Sequence, residues 1–185
     1  MGNSTINNSN IDKKPVFQSA LLDYVLHSSL RIPDQYKVKS PPLGRGNYGE
    51  IREAFHIFLK EQRLIKSIYK HQFSEEELDN VYLEYSNLLN LNNKNILRVY
   101  ELSQDNRYLY IIYEHFRGRE LFDKVRNEGP IRDDKRAPMI ISEIIDSLIY
   151  LHSNKIIYRD LKLENILYDG KTIKLFHFSK STIFK

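Results

Sequence analysis

The sequence contains no cysteine, which excludes disulfides, thiolate metal sites and a thiol nucleophile. That absence fits a cytoplasmic setting. No run of about 18 apolar residues is present, so no membrane-spanning helix is expected. The amino terminus has no basic cluster followed by an apolar stretch, so no secretory signal is read there. A strong excess of one charge is also missing. Lys and Arg number 28 against 24 Asp and Glu, and the resulting +4 is scattered along the chain. Nucleic-acid binders concentrate basic charge on one face, so no nucleic-acid partner is expected. What is present, 41% apolar and 28% charged residues in 185, matches a folded globular chain of about one domain rather than a disordered one.

Residues 1–14 are rich in Asn and Ser and read as a solvated tail. Met1-Gly2 raises N-myristoylation, but the pattern wants Ser or Thr at position 6, where this chain has Ile6. Contact with a membrane would require that lipid on Gly2, and one acyl chain gives only marginal binding. Leu21, Leu22, Val25 and Leu26 recur at helical spacing and predict a short helix within 16–30. Ile32-Pro33-Asp34 then punctuates the chain. Strands are predicted at 36–39, 51–58, 63–68, 97–102 and 108–113 from their β-branched and aromatic content. A helix is predicted over 74–91, where Ser74 with Glu77 three places on spells a capping box. Beyond Glu114 the pattern becomes helical, with segments at 120–126 and 133–152. Strands with one inserted helix, followed by helices, predict an α+β protein of two lobes. The divisions are a tail at 1–33, a small lobe at 34–113, and a hinge with part of a large lobe at 114–185.

Three features point to chemistry. Gly44, Gly46 and Gly49 form a Gly-x-Gly-x-x-Gly turn between strand candidates. Glycines let backbone amides approach phosphate oxygens closely. The turn alone also fits an ordinary glycine hairpin. A dinucleotide fold would place a helix directly after it, and strand-like sequence follows instead. Lys66 lies on a strand 17 residues past Gly49, and Glu84 on the next helix is a candidate partner. An ammonium turned inward needs such an anion. The most specific run is Tyr158-Arg159-Asp160-Leu161-Lys162-Leu163-Glu164-Asn165. Its Asp, Lys and Asn gather a base, a phosphate clamp and a metal ligand on one tight loop.

In this order the three features resemble a eukaryotic Ser/Thr protein kinase. The flavour is that of the calcium-dependent and calmodulin-dependent kinases, judged from Gly118-Arg119-Glu120-Leu121-Phe122-Asp123. The resemblance implies a kinase-like bilobal fold, with a five-stranded antiparallel small lobe, one main helix and a partial, mainly helical large lobe. It also implies ATP and Mg²⁺ as cofactors. Leu43, Ile51 and Leu167 would line the adenine pocket, and Glu114 and Phe116 would offer hinge backbone groups. Tyr113 would stand at its back, and Glu120 would meet the ribose. The Gly44, Gly46 and Gly49 turn would cover the phosphates, and Lys66, held by Glu84, would reach them. Asp160 would accept the hydrogen bond of a substrate hydroxyl, Lys162 would touch the γ-phosphate and Asn165 would bind Mg²⁺.

The sequence departs from that family in places that matter. Where Asp-Phe-Gly is usual it has His177-Phe178-Ser179, which removes the main Mg²⁺ ligand and a turn glycine. Leu64 replaces the usual alanine over the adenine, and Pro138 falls early in the long helix. Tyr158 for histidine and Leu163 for proline are mild changes. The sequence stops at Lys185 without an activation segment, so it reads as a truncated kinase that binds ATP, with weakened Mg²⁺ binding and weak catalysis. The alternative is a pseudokinase or interaction fragment. Its long helix, with Met139, Ile140, Ile141, Ile144, Ile145, Leu148 and Leu151, would dock a protein partner.

Overall fold

The computed structural model describes residues 31–46 and 48–184, except the side chains of Leu83 and Glu84. The tail and the helix expected within 16–30 lie outside the described residues, apart from positions 31–33 of the tail.

A single helical turn, α1 (Ile32–Gln35), runs directly into β1 (Tyr36–Val38). β2 (Gly44–Gly46), β3 (Gly49–His56) and β4 (Glu61–Tyr69) follow. After α2 (Glu75–Leu88) come β5 (Val99–Gln104) and β6 (Tyr108–Glu114). The strands form one antiparallel sheet in the order β1-β3-β4-β6-β5, with β2 paired to β3. Each of the five expected strands is present. β2 is the sixth, and its three residues are all exposed, so no apolar alternation marks it in the sequence.

The centre of the sheet is buried on both faces, which explains the near-continuous apolar run of β6. Leu109 and Ile111 join Tyr82, Tyr85 and Leu88 of α2 in the main core. Ile112 instead meets Ile32, Tyr36, Ala54 and Ile65 in a smaller core closed by α1 and β1. The start of α2 is capped as expected. Ser74 Oγ accepts from the Glu77 amide at 3.3 Å, and Glu77 Oε2 accepts from the Ser74 amide at 2.8 Å.

Past residues 114–118 lie β7 (Arg119–Glu120), α3 (Leu121–Glu128) and α4 (Arg136–Ser153). Pro138 sits in the first turn of α4, where a missing N–H costs no helical hydrogen bond. β8 (Ile156–Ile157), β9 (Ile166–Tyr168), β10 (Ile173–Leu175) and β11 (Thr182–Ile183) complete the chain. β10, β9 and β7 make a small sheet, and β11 pairs back onto β8.

Hydrogen bonds around Asn95 and Leu175 join the two halves, alongside contacts of Asn92 with Tyr150 and of Glu114 with Lys174. Leu175 donates its amide to Asn95 O and accepts from the Leu97 amide, both at 2.8 Å. Asn95 is buried, and its Nδ2 reaches Thr172 Oγ1 and Ile173 O, both at 3.1 Å. Its carbonyl also accepts from Ser147 Oγ on α4 at 3.3 Å. One stripe of α4, Ile140, Ile144, Ser147 and Leu151, is buried. A second stripe, Ile141, Ile145 and Ile149, stays 50–61% exposed. Among the described residues no helix is long and apolar enough to cross a membrane.

Candidate nucleotide cleft and catalytic loop

A cavity of about 480 Å³ lies between the large sheet and the β9–β10 hairpin. Strand register builds its roof. Ile51 is opposite Lys66 and Glu53 is opposite Leu64, so all four share one face at the period of two that a strand imposes. Leu43 and Gly44 form the outer lip, and Tyr113, paired with Leu64 across β6, stands at the back. Leu167 and Phe176 form the floor, and Glu120 and Asp123 at the start of α3 flank the opening. Phe116 closes the linker side. Gly118 is required there, because a Cβ would lie 2.9 Å from the Tyr168 carbonyl carbon and overlap the Phe116 ring.

The expected residues Leu43, Gly44, Ile51, Lys66, Phe116, Glu120 and Leu167 thus meet around one cavity. Glu114 lies outside the lining. Its amide is committed to Arg98 O at 3.0 Å, and its carboxylate binds the Arg98 amide and Lys174 Nζ. Gly46 and Gly49 also lie outside it. Gly49 has a packing reason of its own, since a Cβ would overlap the carbonyl oxygen of Ser67.

Sequence reasoning missed Glu53 and His115. Glu53 accepts from Lys39 Nζ and pairs with His115 Nε2, each at 2.9 Å, tying β3 to the linker. Its position two residues past Ile51 was the available signal. Hydrogen bonds from Lys39 and then His115 outweigh burial and hold its carboxyl down at about 2. A depressed folded pKa means the unfolded chain takes up the proton first as pH falls. Stability from Glu53 is therefore complete above about 4.5 and is lost as pH drops toward about 2. Acid unfolding followed by circular dichroism is expected to be shallower in that window for Glu53→Gln. An unchanged slope contradicts the pairing. Burial, ahead of Asp123 and Glu164, pushes the carboxyl of Glu120 up.

Lys66 Nζ donates to Tyr85 Oη at 3.1 Å and stands 5.6 Å from that ring's centre. The side chain of Glu84, its expected partner, lies outside the described residues. In the loop that follows β8, Asn165 is buried, and its Nδ2 donates to Asp160 O at 2.8 Å and Oδ2 at 2.9 Å. Lys162 Nζ is 3.4 Å from Asp160 Oδ2, and Lys180 Nζ is 3.3 Å from Oδ1. Burial alone would raise the Asp160 carboxyl, but Asn165, Lys180 and Lys162 together hold it below its ordinary value.

Tyr158 fastens this loop to the altered tripeptide. Its hydroxyl donates to Phe176 O and its ring meets Phe178 edge-on at 5.1 Å. The turn does not demand a glycine at Ser179. The residue in the left-handed region is His177, with φ of 65°, and histidine is among the residue types that tolerate it best. The imidazole faces Phe176 at 6.1 Å. Partial burial, then Lys66 and Lys162, hold it below the ordinary histidine range.

The donor chemistry does not fit Mg²⁺, which wants several oxygen ligands in octahedral array. Of the expected ligands, Asn165 commits its Nδ2 to Asp160, and the imidazole of His177 stands where the main carboxylate ligand is usual. Among the described residues no group of three or more His, Cys, Asp or Glu converges on a metal-sized space.

A six-stranded antiparallel sheet over a small helical layer, with a lysine-lined cleft and an Asp–Lys–Asn loop, defines the class as an α+β domain. The family model described as the protein kinase domain matches residues 37–185, so the chain belongs to the protein kinase family. It is 32% identical over 160 residues to a protein named probable myosin light chain kinase of Dictyostelium discoideum, covering 84% of this chain and 40% of that one. It is 33% identical over 150 residues to calcium-dependent protein kinase 5 of Plasmodium falciparum, covering 81% of this chain and 26% of that one. The chain thus spans less than half the length of either relative. Among solved structures, the crystal structure of Rad53 in complex with AMP-PNP aligns with a TM-score of 0.70 at 26% identity, covering 80% of this chain and 39% of that one.

Proposed function

We propose that this chain binds ATP in the cleft between its large sheet and the β9–β10 hairpin, and that it transfers phosphate to protein hydroxyls poorly. The observation that carries this reading is the cavity itself. Its volume suits a nucleoside, its apolar faces are Leu43, Ile51, Leu64 and Leu167, and Lys66 stands among its walls. The glycine turn adds to it. Among the described residues, a Cβ at Gly44 on the cavity's lip meets no atom within 4 Å beyond its chain neighbours, so packing sets no steric demand for glycine there. Close approach of a ligand to that backbone supplies one.

Weak catalysis follows from the loop. Asp160 is held in place by Asn165, but with His177 in place of the usual aspartate a metal on the phosphates would lack its main carboxylate ligand. Losing one preorganised electrostatic clamp typically costs on the order of 10²–10³ in rate. Isothermal titration calorimetry with the whole chain is expected to register ATP binding, with radiolabel transfer to a generic Ser/Thr peptide near background. Absence of binding at millimolar ATP would sink the nucleotide reading. Transfer near 1 s⁻¹, abolished by Asp160→Asn, would sink the claim of weak catalysis.

A second reading rests on the exposed Ile141, Ile145 and Ile149 stripe of α4. Three isoleucines in line on one helix face form an apolar strip of the kind that mediates contact with another protein surface. Sedimentation of the chain at rising concentration tests it, with self-association expected to fall for Ile145→Glu.

A further inference from the structure

The misfit with magnesium has a positive side. The oxygen ligands that a divalent ion needs are missing or engaged, yet the same small volume is rich in ammonium groups. Lys162 and Lys180 both contact Asp160, from opposite carboxylate oxygens. Lys66 lines the cavity together with His177. Among the described side chains, Lys66 and His177 line that end of the cleft, and Lys162 and Lys180 stand outside the lining on the single carboxylate of Asp160. The other carboxylates of the cavity are elsewhere. Glu53 is paired with Lys39 and His115, and Glu120 and Asp123 flank the opening at the start of α3.

A metal-free triphosphate is close to a tetra-anion, and a bound divalent cation cancels about half of that charge. Beside Asp160, where three ammonium groups meet one carboxylate among the described side chains, an intact polyanion is favoured.

We propose that this cleft takes its nucleotide as the metal-free polyphosphate anion, and that Lys180 is a phosphate-binding residue supplying charge that a metal ion would otherwise bring. The proposal rests on the nucleotide reading above. The geometry suits it. Lys180 is the residue directly after the altered tripeptide, and its backbone is held on both sides. Arg159 Nε donates to Lys180 O, and the Ser181 amide donates to Phe178 O at 2.8 Å. Its side chain is 64% exposed, so the ammonium can leave Asp160 and follow a phosphate on four methylenes without unpacking anything. His177 contributes to the outcome by what it lacks. An imidazole offers a metal no anionic oxygen and places no negative charge against the phosphates.

The test is calorimetric titration of the whole chain with adenosine, with ATP in a chelator, and with ATP in millimolar magnesium. Metal-free ATP is expected to bind at least as tightly as the magnesium complex. Lys180→Ala is expected to weaken metal-free ATP by about tenfold, the loss of one charge-assisted contact, while leaving adenosine unchanged. His177→Asp returns a carboxylate and is expected to reverse the preference, so that magnesium tightens ATP binding. The proposal is overturned if the unaltered chain binds ATP at least about tenfold tighter with magnesium than without. It is equally overturned if Lys180→Ala keeps full metal-free affinity. Either result with adenosine still bound leaves the nucleotide reading standing, whereas failure of adenosine and both forms of ATP to bind removes both.

Discussion

Leu175→Ala is expected to lower the unfolding free energy by about 3 kcal/mol, a typical cost for truncating a fully buried leucine. The side chain has no solvent exposure and belongs to the main core. It sits in the last residue of β10, one position before Phe176 enters the cleft floor. The loss comes from transfer of the removed methyl groups and from a cavity that the strand cannot close, because both its backbone hydrogen bonds at that residue run to the 95–97 segment. Domains retain only about 5–15 kcal/mol in total, so this single change removes a large share. Urea denaturation would register it as a lower midpoint at constant slope. Ile149→Ala on the exposed stripe of α4 is the control, expected within about 0.5 kcal/mol of the parent chain. Equal costs for the two substitutions would contradict the packing described here.

Lys66→Met is expected to weaken ATP binding by about 10–100-fold, matching loss of a hydrogen bond to a charged group. Adenosine binding is expected to stay unchanged, since Leu43, Ile51 and Leu167 make the apolar slot. Methionine keeps the length and most of the volume of the stem, so the strand pairing with Ile51 and Ile111 is retained. The substitution also leaves the Tyr85 hydroxyl without its ammonium donor. If ATP and adenosine weaken together, Lys66 acts through Tyr85 on the position of α2 rather than on the phosphates.

What could be read from the sequence follows the range of the interaction involved. The capping box at Ser74 and Glu77 is a contact three residues long, and it was legible. So were β1, β3, β4, β5 and β6, whose composition reflects burial on a pleated surface. The Asp160, Lys162 and Asn165 cluster was legible because its members share one loop. β2 and β7 to β11 escaped notice, since their two or three residues give little periodicity to detect. The Glu53–His115 pair spans 62 positions and Lys180–Asp160 spans 20. Such contacts exist only once the chain has folded, and no local spacing announces them. Sequence reasoning assigned the lost glycine of the tripeptide a backbone cost at Ser179. The structure places the unusual backbone at His177 instead.

The joint at Asn95 and Leu175 also sets how the molecule can breathe. Because roof and floor are riveted together at the rear, near Leu97, a change in the gap between them is a swing about that rivet rather than a parallel lift. Displacement is then smallest beside Tyr113 and grows toward Leu43 and Glu120. A ligand seated deep near Tyr113 would lie close to that rivet, while groups projecting past Leu43 would lie at the far end of the swing.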